Sequence, residues 1–109
     1  MSYRIALHGN FEREARPLLK RYRSLANELA ALRDALKEDP HQGTPLGSIC
    51  YKIRIAIKSK GAGKSGGARV ITCVVAVRKE VYLLSIYDKS DQATLTDKRL
   101  KELLKEVPR

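Results

Sequence analysis

Read for spacing alone, the chain changes its hydrophobic period along its length. Tyr3, Ile5 and Leu7 alternate with Arg4 and His8, which predicts a short strand. Gly9-Asn10 breaks it, and Asn10 is a candidate helix cap. Phe11, Ala15, Leu18, Leu19 and Tyr22 then recur at helical spacing. Pro17 lies inside that pattern and should kink or restart the helix, because it removes a backbone donor. Ser24 is suited to cap a second helix with the stripe Leu25, Leu29, Leu32 and Leu36. That stripe lasts under two heptads, so it reads as core packing and not as a coiled coil. Asp39-Pro40 ends the helix, and residues 41–47 form a turn-rich connection.

From Ile49 the period becomes two. Ile49, Tyr51, Ile53, Ile55 and Ile57 point one way; Cys50, Lys52, Arg54, Ala56 and Lys58 point the other. The pattern predicts a half-buried strand that turns cations outward. Residues 59–67 are a Gly/Ser/Lys loop. Residues 69–78 are apolar on both faces, as a central strand should be, and residues 80–87 make another strand. On strict alternation Tyr87 shares the face of Val81 and Leu83. A polar loop at residues 88–91 leads to a last helix, capped by Thr96 and striped by Leu100, Leu103, Leu104 and Val107. The expected order is β-α-α-β-β-β-α. It predicts an α+β domain over residues 1–109, an antiparallel sheet with an N-terminal helical hairpin and a C-terminal helix.

Charge adds the first functional hint. The net charge is +10, and it is unevenly placed. Residues 40–79 hold Lys52, Arg54, Lys58, Lys60, Lys64, Arg69, Arg78 and Lys79 and no acidic side chain. A segregated block of one sign attracts polyanions, so nucleic acid is the expected partner. The longest apolar run, residues 70–77, is too short to span a bilayer and is interrupted by Thr72. The first residues lack a secretory pattern, which makes a cytoplasmic protein with reduced thiols the expectation. Cys50 and Cys73 are too few for a zinc site or a disulfide framework and read as buried thiols on neighbouring strands. Nothing in the spacing points to a metal or a cofactor. Gly61-Ala62-Gly63-Lys64-Ser65 imitates a phosphate-binding P-loop, but Lys58 stands where that motif needs its first glycine, and a strand follows instead of a helix.

Three segments carry a resemblance. They are Cys50-Tyr51-Lys52-Ile53-Arg54, Gly66-Gly67-Ala68-Arg69-Val70-Ile71, and the run from Val81 through Ser85 and Tyr87 to Asp88-Lys89. In order and spacing the chain resembles the RelE/ParE superfamily of bacterial toxins, with RelE and HigB-like members nearest. The resemblance implies a ribosome-dependent mRNA endonuclease that cuts the codon in the ribosomal A site. It also implies a cognate antitoxin as partner, with operator DNA bound only through the toxin–antitoxin complex. Carried over residue by residue, it falls on Lys52, Arg54, Arg69 and Lys89. Family sites also use a tyrosine or histidine near the C-terminus; no tyrosine follows Lys89 here, and Tyr87 is the nearest candidate.

The residue types suit such chemistry. Cleavage by 2′-OH attack needs a base, a group that stabilises charge on phosphorus, and an acid for the 5′-oxygen. Arginine suits the second role through its planar fork, and Arg54 and Arg69 are the candidates. Lys52 is a base if neighbouring cations lower its pKa, and an electrostatic clamp otherwise. Lys52 and Arg54 lie about 7 Å apart along one strand face, near the spacing of adjacent phosphates. Tyr87 or Lys89 is the candidate acid. Lys58, Lys60 and Lys64 are candidates for RNA binding from the loop. Two other readings remain open: a ParE-like, non-enzymatic inhibitor of DNA gyrase, and a nucleic-acid-binding module without toxicity.

Overall fold

The computed structural model describes residues 2–61 and 63–109. Ala62, in the predicted Gly/Ser/Lys loop, and Met1 lie outside them. Strand β1 (Arg4–Leu7) leads into helices α1 (Gly9–Arg21) and α2 (Leu25–Glu38). A two-residue strand β2 (Thr44–Pro45) precedes β3 (Cys50–Ile55), β4 (Ala68–Val75) and β5 (Glu80–Asp88), and α3 (Asp97–Leu104) follows. The α+β architecture is the expected one: helical hairpin first, helix last, strands between. The sheet order is β1-β5-β4-β3-β2. Four strands pair antiparallel, but β1 pairs parallel with β5, so the sheet is mixed and not wholly antiparallel. The chain leaves β1 at one edge, passes through the α1–α2 hairpin to β2 at the other edge, and returns strand by strand to β5, which brings β5 parallel to β1.

Both faces of the sheet are covered. Ile53, Ile55, Val70, Val74, Val81 and Leu83 pack under α1 and α2, against Phe11, Leu18, Leu25 and Leu36. Ile71, Cys73, Val75, Leu84 and Tyr87 pack under α3, against Leu100, Leu103 and Leu104. Every residue of β4 is buried, as its two apolar faces predict. Burying each large apolar side chain contributes about 1.5–3 kcal/mol, which ties both helical layers to the central strands.

Local predictions fail in instructive places. His8, not Asn10, is the cap of α1; its Nδ1 accepts from the Asn10 backbone N–H at 3.0 Å. Asn10 is inside the first turn and buried. Helix α1 runs unbroken through Pro17, which is exposed, while Phe11, Ala15 and Leu18 hold the opposite face in the core. The predicted central strand stops at Val75, and Ala76–Arg78 form a 3-10 turn that ends with Lys79 at φ 51°. Within the lysine-rich stretch, Lys58–Lys60 and Lys64–Gly66 form 3-10 turns. At its end Gly67 lies so close to Ile55 that a Cβ would overlap the Ile55 carbonyl oxygen.

Candidate functional site

The alternation read from residue 49 onward puts the basic side chains where the geometry needs them. Arg54 and Arg69 are direct partners across β3 and β4, and Arg69 and Tyr87 are direct partners across β4 and β5. Directly opposed residues share a sheet face, so Arg54, Arg69 and Tyr87 form one row across three strands. Lys52 shares that face of β3, two residues from Arg54. The Val74 backbone N–H donates to the Ile49 carbonyl at 2.9 Å, which fixes the phase of the ladder. By that phase Arg54 and Arg69 are a non-hydrogen-bonded pair, with Cα atoms about 4.5 Å apart and side chains close.

Two arginines so placed repel each other unless something negative lies nearby. Arg69 is buried, and its guanidinium donates to the carbonyls of Lys64 at 2.8 Å, Ala68 at 3.2 Å and Ser65 at 3.3 Å. It therefore anchors the lysine-rich loop while keeping N–H groups over. Arg54 is exposed and, among the described residues, makes no ion pair. It is the freer cation of the two.

Tyr87 does not follow the face predicted for it. Ile71 pairs with Ser85 and Thr72 with Leu83, so β5 carries one extra residue at Leu84. This β-bulge shifts the alternation. Val81 and Leu83 face the α1–α2 hairpin, but Leu84 and Tyr87 face α3. Tyr87 is buried, and among the described residues its hydroxyl has no hydrogen-bond partner. The bulge thus turns the Tyr87 ring into the core under α3, where its hydroxyl is closed off from solvent.

A second group of cations borders the row. An open groove of about 470 Å³ runs between α2 and β3, lined by Arg54, Lys58 and Lys64 together with Ser24, Asn27 and Glu28. The Glu28 carboxylate is already engaged, accepting from the Lys58 backbone N–H at 2.6 Å and the Ser24 hydroxyl at 3.0 Å. Lys58 and Lys64 are exposed, and neither ammonium makes an ion pair among the described residues. Three basic side chains against one engaged carboxylate leave the groove with an excess of positive charge, which attracts a phosphate backbone, although Ala31, Leu32, Ala35, Ile53 and Ile55 line it too.

Lys60, expected with Lys58 and Lys64 to offer its charge to RNA, turns inward instead. Its ammonium meets Asp88 Oδ1 at 2.6 Å, the Gly66 carbonyl at 2.8 Å and Ser90 Oγ at 3.1 Å. Asp88, expected in a polar loop, is the buried last residue of β5 and also accepts from the Tyr22 hydroxyl. Burial alone would raise the Asp88 pKa, but hydrogen bonds from Lys60, Tyr22 and Ser90 outweigh it and hold the carboxyl well below the usual carboxylate range. Lys89 is half-buried and donates to the Ala93 carbonyl at 3.2 Å. His41 stacks edge-on between Tyr3 and Tyr51, with ring centroids 6.4 and 5.8 Å away, so Tyr51 packs and is not a free stacking platform. Cys50 and Cys73 are buried direct partners on β3 and β4, as expected.

Sequence reading gave Asn10 only as a helix cap and Tyr22 only as part of the apolar stripe, and passed over Glu14; in the structure all three hold these elements in place. Asn10 and Glu14 are spaced to share a helix face. A polar pair at that spacing, next to the buried stripe, is the signal that was there to be read.

Among the described residues no helix is long and apolar enough to cross a membrane. The fold is shared with solved structures of the E. coli toxin RelE. A free-state arginine-to-alanine double mutant of that toxin matches with a TM-score of 0.62 at 17% identity, covering 99% of this chain and 100% of that one. The isolated toxin matches with a TM-score of 0.59 at 17% identity, covering 97% and 100%. The family model described as the RelE toxin of the RelE/RelB toxin–antitoxin system matches residues 4–107. With its basic strand, mixed sheet and helical layers all inside that match, the chain belongs to the RelE toxin family.

Proposed function

We propose that the protein is a ribosome-dependent endoribonuclease that cuts mRNA at the A-site codon by attack of the 2′-OH on the adjacent phosphorus. The observation that carries this reading is the cross-strand pair Arg54–Arg69 on one sheet face, with Lys52 beside it, bordered by a groove whose cations make no ion pair among the described residues. Arg54 and Arg69 stabilise the charge that builds on the phosphoryl oxygens. Lys52 lies two residues from Arg54 on the same face and takes the 2′ proton or clamps the phosphate. Of the two candidates for protonating the 5′-oxygen, half-buried Lys89 is the accessible one, because the Tyr87 hydroxyl is buried under α3. Lys58 and Lys64 hold the RNA backbone. A site built from Lys and Arg is weak by itself and depends on the ribosome to align the scissile phosphate. The partner that neutralises it is the antitoxin that its family implies, and operator DNA is reached only through that complex. The family match supports this reading over inhibition of gyrase.

The test is primer extension on a defined mRNA in a translating extract. New 5′ ends inside A-site codons, absent when ribosomes are omitted, are expected. An intact transcript, with the protein folded, would overturn the proposal.

A further inference from the structure

The turn after β5 and the loop between β3 and β4 meet at one buried carboxylate. The Lys89 backbone N–H donates to the Gly67 carbonyl at 3.0 Å, one rung beyond the Ala68–Asp88 pair, so by alternation Lys89 falls on the face of Arg69. Asp88 lies on the opposite face, against Tyr22. Its Oδ1 accepts from the Ser90 backbone N–H at 2.9 Å and the Ser90 hydroxyl at 2.7 Å. Its carbonyl accepts from the backbone N–H groups of Asp91 at 3.0 Å and Gln92 at 3.2 Å. These bonds shape the turn that carries Lys89. The same Oδ1 accepts from the Lys60 ammonium at 2.6 Å. Lys60 also donates to the Gly66 carbonyl at 2.8 Å, which draws together the two arms of the loop on either side of Lys64.

Neither member of this pair can serve RNA directly. The Asp88 side chain is fully buried and that of Lys60 is 19% exposed. Lys64 is exposed and Lys89 half-buried. Desolvation offsets most of what a buried ion pair gains, so its contribution is to geometry more than to stability. We infer that Lys60 and Asp88 are positioning residues for cleavage: their contact ties the loop that carries Lys64 to the turn that carries Lys89, and so sets the leaving-group acid against a phosphate backbone gripped at Lys64. This rests on the proposed cleavage and on Lys89 as its acid. It goes further by giving a function to two residues that stay behind the site.

The experiment is single-turnover cleavage on mRNA-programmed ribosomes, with thermal melts, for wild type, Lys60→Met, Lys60→Met/Asp88→Asn, Ser90→Ala, Lys89→Ala and Lys60→Met/Lys89→Ala. A misplaced reacting group slows chemistry more than it weakens binding, so Lys60→Met should lose about tenfold in rate with ribosome affinity within about twofold. Lys60→Met/Asp88→Asn leaves no buried carboxylate without its cation and should melt higher than Lys60→Met. Its rate should stay at the Lys60→Met level, because both changes break one contact. Ser90→Ala removes an exposed partner of both residues and should show a smaller loss, which covers the case in which Lys60→Met does not fold. If Lys60 acts through Lys89, Lys60→Met should cost little further in the Lys89→Ala background. A double variant whose rate recovers along with its melting temperature, losses that multiply with Lys89→Ala, or a wild-type rate for Lys60→Met or, where that variant is unfolded, for Ser90→Ala, would overturn the positioning role alone. A wild-type rate for Lys89→Ala would overturn the role of Lys89 and the inference with it. Absence of cleavage by the wild-type protein would overturn the proposed function itself.

Discussion

Arg54 and Arg69 stand directly opposite each other on β3 and β4, yet only Arg69 is buried and held by backbone carbonyls. The pair thus divides its work. Arg54→Ala should leave the melting temperature within the range of a surface change, about 0.5 kcal/mol or less. Removing a preorganised donor to a developing oxyanion costs a factor of about 100–1,000, so its cleavage rate should fall by that order. Arg69→Ala should lose activity and also about 1–3 kcal/mol of stability, because the Lys64 and Ser65 carbonyls lose their donor. Thermal melts run beside cleavage assays separate the two outcomes.

Tyr87→Phe should raise stability and leave activity in place. The buried hydroxyl has no partner among the described residues, so deleting it removes a desolvation penalty. A gain of up to about 1 kcal/mol is expected, which is several degrees in Tm for a domain of this size. Because the hydroxyl is closed off under α3, the same variant should cleave at close to the wild-type rate. Differential scanning calorimetry and single-turnover rates on one preparation check both halves.

Asp88 should make the fold acid-sensitive. Its carboxyl is held below its ordinary value of 3.8 in the folded chain. The unfolded chain therefore takes up a proton first as pH falls. The stabilisation is fully present at neutral pH, begins to fade as pH approaches the ordinary carboxylate range, and goes on fading below it. Asp88→Asn should flatten the fall of Tm between neutral pH and that range. Asp88→Ala should cost about 3–5 kcal/mol at neutral pH, because it leaves Lys60 largely buried without its counterion.

The two kinds of lysine in the basic loop should behave differently in salt titrations. Each phosphate contact on a single strand contributes about 0.7 to the slope of log affinity against log salt. Lys58→Ala and Lys64→Ala should each lower that slope by about this amount while leaving the melt unchanged. Lys60→Ala should lower the melting temperature and leave the slope alone, since its ammonium is held by Asp88. Fluorescence anisotropy with labelled RNA over a range of salt reads the difference.

The basic strand was legible because alternation is local: Lys52 and Arg54 fall on the outward parity, and Ile53 and Ile55 on the buried one, with no long-range information. The central strand was legible for the same reason. The face of Tyr87 was not, because a period-two reading assumes that no residue is inserted, and the bulge at Leu84 is set by pairing with β4. Asp88 was taken for a loop residue because an acid beside Lys89, Ser90 and Asp91 looks solvated; its partners Tyr22 and Lys60 lie 66 and 28 residues away. The parallel pairing of β1 was hidden too, since sequence separation favours the hairpin and not the crossover. Pro17 misled because its missing donor falls on the exposed side of α1, where the buried stripe still holds the helix.

The most direct measurement is end-group analysis of cleavage on mRNA-programmed ribosomes, comparing wild type with Arg54→Ala. Attack by the 2′-OH predicts a 2′,3′-cyclic phosphate upstream and a 5′-hydroxyl downstream of the cut, with the Arg54→Ala rate reduced by about 100-fold at unchanged ribosome affinity. A 5′-phosphate product, or an undiminished rate in the folded variant, would contradict the account.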